Sequence, residues 1–335
     1  MKVRKRTEVC ITVDTEFSVG GNFDNPDLAP IAEPIVLGEI AGKEHGLGFL
    51  LDSFSEFGVS ATFFVEAMQT AYFGCEPMGG IARRITKAEQ DVQLHLHPCW
   101  LYYESALAPH QKRPPNDSCA GRDDAELDYF FQFGLSAFSR WGLPKPTVVR
   151  AGNFEVDVNF YRAAARSGIT LSSSIALPVY CPAVHPRVFL RSKCRIEQVL
   201  EFPVSCYSYP LGRSRQLRPL AITACSSAEI LSALCQAREY GISPVIILTH
   251  PQEYVKRRDA RYARLRRNRV NQARLKTVLR FLQQHDDEFV VLPIHAIGHD
   301  HRGTIDPDKP RISISTRQAM ARMAENAIND IIWWY

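Results

Sequence analysis

Val9-Cys10-Ile11-Thr12-Val13-Asp14-Thr15-Glu16 is an apolar, β-branched run that ends in acids, and it reads as a buried strand. Two further runs have the same form: Asp91-Val92-Gln93-Leu94-His95-Leu96-His97 and Val245-Ile246-Ile247-Leu248-Thr249-His250. In a parallel α/β protein the carboxyl ends of the strands converge on one face, where active sites are built. Side chains two apart on a strand share a side, so Asp14 is presented with Glu16, and His95 with His97. A carboxylate and two imidazoles form a common ligand set for zinc and other divalent first-row metals, with positions left for water and substrate.

Outward from these runs, strands are expected at Ala61 to Glu66, Thr147 to Gly152, Ile169 to Ile175, Leu200 to Val204 and Phe289 to Ile294. Helical spacing falls at Gly46 to Gly58, Gly80 to Gln90, Asp124 to Trp141, Val156 to Arg166, Ser227 to Tyr240 and Val270 to Gln284. About eight strands alternating with helices is the pattern of parallel α/β architecture. Ligand-type residues recur on strands along the whole chain, which favours a distorted (β/α) barrel of seven to eight parallel strands over an open sheet. Polar, Gly/Pro-bearing text from Ser18 to Pro34 predicts a loop over a strand end. Trp100 to Gly121, with Pro109, Pro114 and Pro115, is the longest irregular insertion. The expected organisation is a barrel over residues 1–298 and an extension over 299–335, with one amphipathic helix from Thr316 to Trp334.

The 335-residue length suffices for one large or two ordinary domains, and 45% hydrophobic with 23% charged residues is normal for a globular protein. A net charge of +4 is too small to argue for nucleic acid. Nine cysteines without a C-x-x-C pair read as scattered thiols. The basic start lacks an apolar stretch of signal length, and no window approaches the roughly 18 apolar residues of a membrane span, so a soluble cytoplasmic protein is the expectation.

Asp14 and Glu16 follow a run that ought to be buried, which is costly unless a metal, a cation or catalysis compensates. His95 and His97 suit one shared metal, or a pair of satisfied core histidines. His250 suits a general acid or base, and equally a structural role. Arg150, ending its own strand, suits bidentate orientation of a carboxylate or a surface ion pair.

The order Thr12-Val13-Asp14-Thr15-Glu16, Ala61-Thr62-Phe63-Phe64-Val65, His95-Leu96-His97-Pro98, Arg150-Ala151-Gly152-Asn153-Phe154 and Leu248-Thr249-His250-Pro251 resembles the NodB-homology polysaccharide deacetylases, carbohydrate esterase family 4, over roughly residues 7 to 296. The resemblance implies a metal-dependent hydrolase that removes an N-acetyl group from a sugar. The carry-over makes Asp14 the base, Glu16, His95 and His97 the metal ligands, Arg150 the partner of Asp14, His250 the acid, and Glu201 the carboxylate that positions His250. The sequence departs from the family in three places. Thr15 separates the two acids, one residue instead of three separates the histidines, and Gly152-Asn153 stands in the family's proline context. The implied cofactor is a divalent metal, zinc foremost, with cobalt, nickel or manganese as others of the class.

Phe17, Trp100, Tyr102 and Tyr103 lie near these strand ends as candidates to stack on a pyranose ring or to serve as core, with Asn153 as a polar substrate contact. The implied substrate is an N-acetylated sugar, free, nucleotide-linked or lipid-linked, in surface polysaccharide or lipopolysaccharide assembly. Other readings are a hydrolase of a non-sugar C–N bond and a glycan-binding protein with a degenerate site. The basic run from Lys256 to Arg269 reads as a solvated helix face or as a surface for phosphate-bearing partners or an anionic membrane. No nucleic-acid motif accompanies it. The apolar end Ile331-Ile332-Trp333-Trp334-Tyr335 suits docking on the body, a second subunit or a peripheral membrane contact.

Overall fold

The computed structural model describes residues 5–104, 116–180, 193–212, 214–298 and 311–331. The insertion's prolines, residues 299–310 and the terminal residues 332–335 lie outside these ranges.

The sheet is built around β1, Thr7–Thr15, which is buried along its whole length. Its other strands are β2 (Thr62–Glu66), β3 (Asp91–Leu96), β4 (Val148–Ala151), β5 (Leu171–Ser172), β6 (Cys194–Ile196), β7 (Val199–Glu201), β8 (Val245–Thr249) and β9 (Phe289–Val291). The spatial order is β8-β1-β2-β3-β4-β5-β7-β6, with β9 beside the start of β1. All pairings are parallel except that of β6 with β7. The eight strands in parallel pairs match the expected barrel. The sheet curls until its ends approach, and an irregular strip joins them. Phe202 N–H donates to Ser172 O (2.8 Å), and Ser205 N–H donates to Ile246 O (3.0 Å).

Strand alternation divides the core in two. Val9, Ile11, Val13, Phe63, Val65, Leu94, Val149, Val199 and Ile247 face outward, into the layer shared with the helices. Cys10, Phe64, Val148, Leu171, Leu200, Phe202, Ile246 and Leu248 fill the interior. Strands buried on both faces explain why these runs are nearly continuous in apolar residues.

The covering helices are α1 (Leu47–Phe57), α2 (Glu76–Lys87), α3 (Asp124–Arg140), α4 (Val158–Arg166), α5 (Ser227–Tyr240), α6 (Arg269–Gln284) and α7 (Thr316–Ile331). Reciprocal capping boxes start α3 at Asp123/Glu126 and α5 at Ser226/Glu229. Left-handed glycines end α1 at Gly58 and α5 at Gly241.

Two expectations change. The strand expected over Ile169 to Ile175 shortens to Leu171–Ser172, because Ser173 and Ser174 turn their hydroxyls to side-chain and backbone partners. The basic run is no helix face at its start. Val255–Arg257 and Leu265–Arg267 form an antiparallel pair, and α6 begins only at Arg269. No helix among the described residues is long and apolar enough to cross a membrane, and the cysteines described are free thiols.

Candidate active site

The register aligns Glu66, His95 and Arg150 across β2, β3 and β4. On β1, Asp14 shares the interior face with Cys10 and Thr12, and on β8 the same phase carries through Ile246 and Leu248 to His250. Five chemistry-bearing side chains, Asp14, Glu66, His95, Arg150 and His250, therefore gather at one end of the barrel.

Arg150 is fully buried. Its guanidinium donates to Asp14 Oδ1 (2.5 Å), Thr12 Oγ1 (3.0 Å), Ser173 O (2.8 Å) and Ser173 Oγ (2.7 Å). It also lies 4.1 Å from the Phe64 ring centroid. Burial pulls its pKa down from the ordinary value, and the Asp14 carboxylate opposes that pull. Asp14 is thereby fixed by one oxygen, while Oδ2 stands 3.9 Å from His250 Nε2.

His95 Nδ1 lies 2.9 Å from the carbonyl oxygen of Arg150, which can only accept. The ring proton therefore sits on Nδ1, and the Nε2 lone pair points at the other site groups. His95 Nε2 is 3.3 Å from Glu16 Oε2 and 3.1 Å from His97 Nε2, and His97 Nε2 is 2.7 Å from Glu16 Oε2. His97 Nδ1 meets Asp117 Oδ2 at 2.6 Å, the carboxylate–histidine arrangement that orients ligating imidazoles. Burial pushes Glu16 up, but the two imidazoles outweigh it and hold the carboxyl well below its usual range.

These residues fit a divalent metal. Glu16 Oε2 is buried, and its approaches to the imidazoles lack hydrogen-bond geometry. Ligands about 2.0–2.1 Å from a tetrahedral ion stand roughly 3.3 Å apart, close to the spacing of His95 Nε2 from Glu16 and from His97. Gly152 leaves the required space, since a Cβ there would lie 2.4 Å from His97 Nδ1.

Glu201 is a correction. Leu200 and Phe202 face the barrel interior, so alternation turns Glu201 to the outer face with Val199. There its carboxylate accepts from Ser174 N–H (3.0 Å), Ile175 N–H (3.1 Å) and Tyr161 Oη (3.2 Å). The acid on His250 is Glu253, with Oε1 3.2 Å from Nδ1 and Oε2 accepting the His250 backbone N–H at 2.9 Å. Thr249 Oγ1 braces Glu253 Oε2 at 3.0 Å. Burial lowers the His250 pKa, but Glu253 and then Asp14 prevail and raise it to about 9.

Two aromatic candidates are also corrected. Phe17 is buried against Phe73 at 5.1 Å, and Trp100 is buried against Phe73 at 5.5 Å, so neither offers a ring face to a ligand. Tyr102 is 42% exposed, and Tyr103 stacks on Phe23 at 5.8 Å. Asn153 is exposed, has left-handed backbone (φ 54°) and donates to Asp117 Oδ2 at 2.8 Å.

Asp117, Glu253, Gly152 and Glu66 are the residues that sequence reasoning missed. Glu66 accepts from the backbone N–H groups of Met68 (2.7 Å), Gln69 (2.7 Å) and His97 (3.2 Å). Burial pushes its pKa up to about 8 against these donors. An acid ending an apolar strand run was the available signal for Glu66, and a turn-length spacing from His250 was the signal for Glu253. Asp117 lies in aperiodic text and gave none.

No family model and no curated protein matches the chain. Among solved structures it is similar to a putative polysaccharide deacetylase from Mycobacterium smegmatis, at 16% identity and TM-score 0.48, over 87% of this chain and 88% of that one. A family 4 carbohydrate esterase from Streptomyces lividans is 14% identical at TM-score 0.41, over 91% and 96% of the two chains. A cobalt-bound family 4 acetyl xylan esterase from Clostridium thermocellum is 12% identical at TM-score 0.42, over 86% and 88%. Polysaccharide deacetylases thus recur among the similar folds, all at low identity. The functional reading rests on the site itself.

Proposed function

We propose that the protein is a metal-dependent hydrolase that removes the acetyl group from an N-acetylated sugar. The observation that carries this reading is the convergence of Glu16 Oε2, His95 Nε2 and His97 Nε2 within 3.3 Å of one another, on the barrel end that also holds Asp14 and His250. Glu16, His95 and His97 would hold the metal, zinc foremost. When bound, such an ion polarises the amide carbonyl and makes water more acidic.

The remaining steps belong to the chain. Asp14, oriented by Arg150, accepts a proton from the attacking water. Oxygen adds to the acetyl carbon, and the C–N bond then breaks to give acetate and a sugar amine. His250 carries a proton at neutral pH because of Glu253, and it delivers that proton from Nε2 to the departing nitrogen. Asn153, bonded to Asp117 beside His97, and the exposed Tyr102 would serve as sugar contacts. An N-acetylated sugar precursor of surface polysaccharide or lipopolysaccharide, with a nucleotide or lipid attached, is the substrate class in this reading.

Metal analysis by mass spectrometry of untagged protein tests it. The expected result is about one equivalent of divalent metal in the wild type, lost in Glu16→Ala and in His95→Ala, together with acetate release from N-acetylated sugars. A wild type that stays metal-free after added zinc or cobalt would remove the basis of the mechanism. Metal binding without acetate release from any N-acetyl sugar would move the substrate to another amide.

A further inference from the structure

Helix α7 is apolar on the side that faces away from the protein. Met320 is 64% exposed, Ile328 56% and Ile331 82%. At 100° per residue, Met320, Ala324, Ala327 and Ile331 form one stripe, with Met323 and Ile328 at its edges. The opposite face is fixed to the body by polar contacts. Arg322 Nε donates to Glu229 Oε1 (3.0 Å) with both side chains buried, and Arg274 donates to Glu325 Oε1 (3.0 Å) and Asn326 Oδ1 (2.7 Å). A surface helix ordinarily buries its apolar stripe, whereas α7 buries charge and presents methionine and isoleucine.

The basic antiparallel pair adjoins this helix, because Lys256 Nζ donates to the carbonyl oxygen of Asn329 near the end of α7. From 256 to 269 the chain carries eight basic residues and one acid, Asp259. Arg258, Arg264 and Arg266 are exposed, and Arg266 lies directly across from Lys256 on the same side of the pair. The chain continues from α7 with Ile332-Trp333-Trp334-Tyr335, and tryptophan and tyrosine favour the boundary between lipid and water.

We infer that α7 and the adjoining basic pair form a docking surface for an anionic lipid bilayer. The apolar stripe enters the headgroup boundary while the arginines contact lipid phosphates, the combination that holds interfacial helices on membranes. The inference stands apart from the hydrolase reading, since it uses none of the residues in the candidate active site.

Co-sedimentation of the full chain with vesicles tests it, comparing phosphatidylcholine alone with a mixture containing phosphatidylglycerol. The wild type is expected to bind the anionic vesicles at least about tenfold more tightly, with the difference falling as salt rises. Met320→Ser/Ile328→Ser/Ile331→Ser, confined to exposed positions, and Arg264→Glu/Arg266→Glu should each weaken binding about tenfold or more while unfolding at the wild-type temperature. Absence of binding to anionic vesicles at about 0.1 M salt, or equal binding by wild type and both variants, overturns the inference. So does a concentration-dependent dimer that the serine variant abolishes, which would assign the stripe to a second copy.

Discussion

Glu253 holds His250 from within a single turn, with Oε1 3.2 Å from Nδ1 and Oε2 on the histidine's own backbone N–H at 2.9 Å. The pairing fixes the proton on Nδ1 and leaves Nε2 3.9 Å from Asp14 Oδ2. A neutral imidazole would have one nitrogen to donate, whereas the charged ring donates from both. Glu253 thus supplies orientation and charge together, from a residue only three positions away.

Removal of that carboxylate should appear first in the pH profile. The His250 pKa is raised to about 9, so the proton-donating form persists through neutral pH and is lost as pH rises through that value. In Glu253→Gln, burial acts with less opposition, and the basic limb of kcat should move toward or below the ordinary histidine value of about 6.5. At pH 8 the loss in kcat should be at least about tenfold. An unchanged basic limb would separate His250 from the proton-donating step.

Glu201→Gln provides the contrast. Its carboxylate faces outward and serves the Ser174 and Ile175 N–H groups and Tyr161. The amide keeps one acceptor oxygen and loses the other, so a destabilisation of about 1–3 kcal/mol is expected in denaturant unfolding. The pH profile of kcat should keep its shape. A shifted limb in this variant would restore Glu201 to the role that the family resemblance gave it.

The fate of Glu201 shows where the sequence was legible. Buried parallel strands read clearly because Val9 to Val13 and Val245 to Leu248 are nearly all apolar and are buried on both faces, and the acids and histidines at their ends mark one barrel mouth. Glu16 with His95, and Asp14 with Arg150, followed from strand phase and from motif order. Phase also decides Glu201, since Leu200 and Phe202 face the interior, whereas motif order alone points to His250. Trp100 and Phe17 misled for another reason: proximity to a strand end does not tell a ring that lines a cleft from one packed beneath it. Asp117 reaches His97 from 20 positions along the sequence, out of text without periodicity.

Asp117→Asn should separate the binding of metal from the chemistry. The native carboxylate lies 2.6 Å from His97 Nδ1 and also accepts from Asn153 Nδ2 at 2.8 Å. An amide there weakens the orientation and basicity of the imidazole, for which a loss of about 10- to 100-fold in metal affinity is usual. Titration with zinc or cobalt in a competing chelator would measure it. Activity at saturating metal should recover substantially; wild-type affinity in the variant would make Asp117 a bystander.

Gly152→Ala tests the space beside His97. The added Cβ would fall 2.4 Å from Nδ1 and 2.6 Å from Cε1 of the ring, well inside contact distance. His97 must then swing away or the backbone must shift, at a cost of about 1–3 kcal/mol. Metal affinity should fall further than in Asp117→Asn, because a displaced ring removes a ligand where the asparagine only weakens one. Thermal unfolding with and without added metal would report both effects, and a variant stabilised by metal as strongly as the wild type would contradict the placement of His97.

The buried pair of Arg150 and Asp14 should reveal itself by coupling. Arg150→Met leaves the Asp14 carboxylate, 3% exposed, without its 2.5 Å partner, and removing one member of such a pair costs about 3–5 kcal/mol. Arg150→Lys keeps the charge, but its ammonium cannot reproduce the fork that reaches Asp14, Thr12 and Ser173 together, so activity should fall while stability falls less. Asp14→Asn combined with Arg150→Met removes both charges at once. The double variant should therefore be less destabilised than the two single changes added together, by at least about 1 kcal/mol in denaturant unfolding. Simple additivity would mean that the two charges do not depend on one another, and the assignment of Asp14 as a base oriented by Arg150 would lose its physical footing.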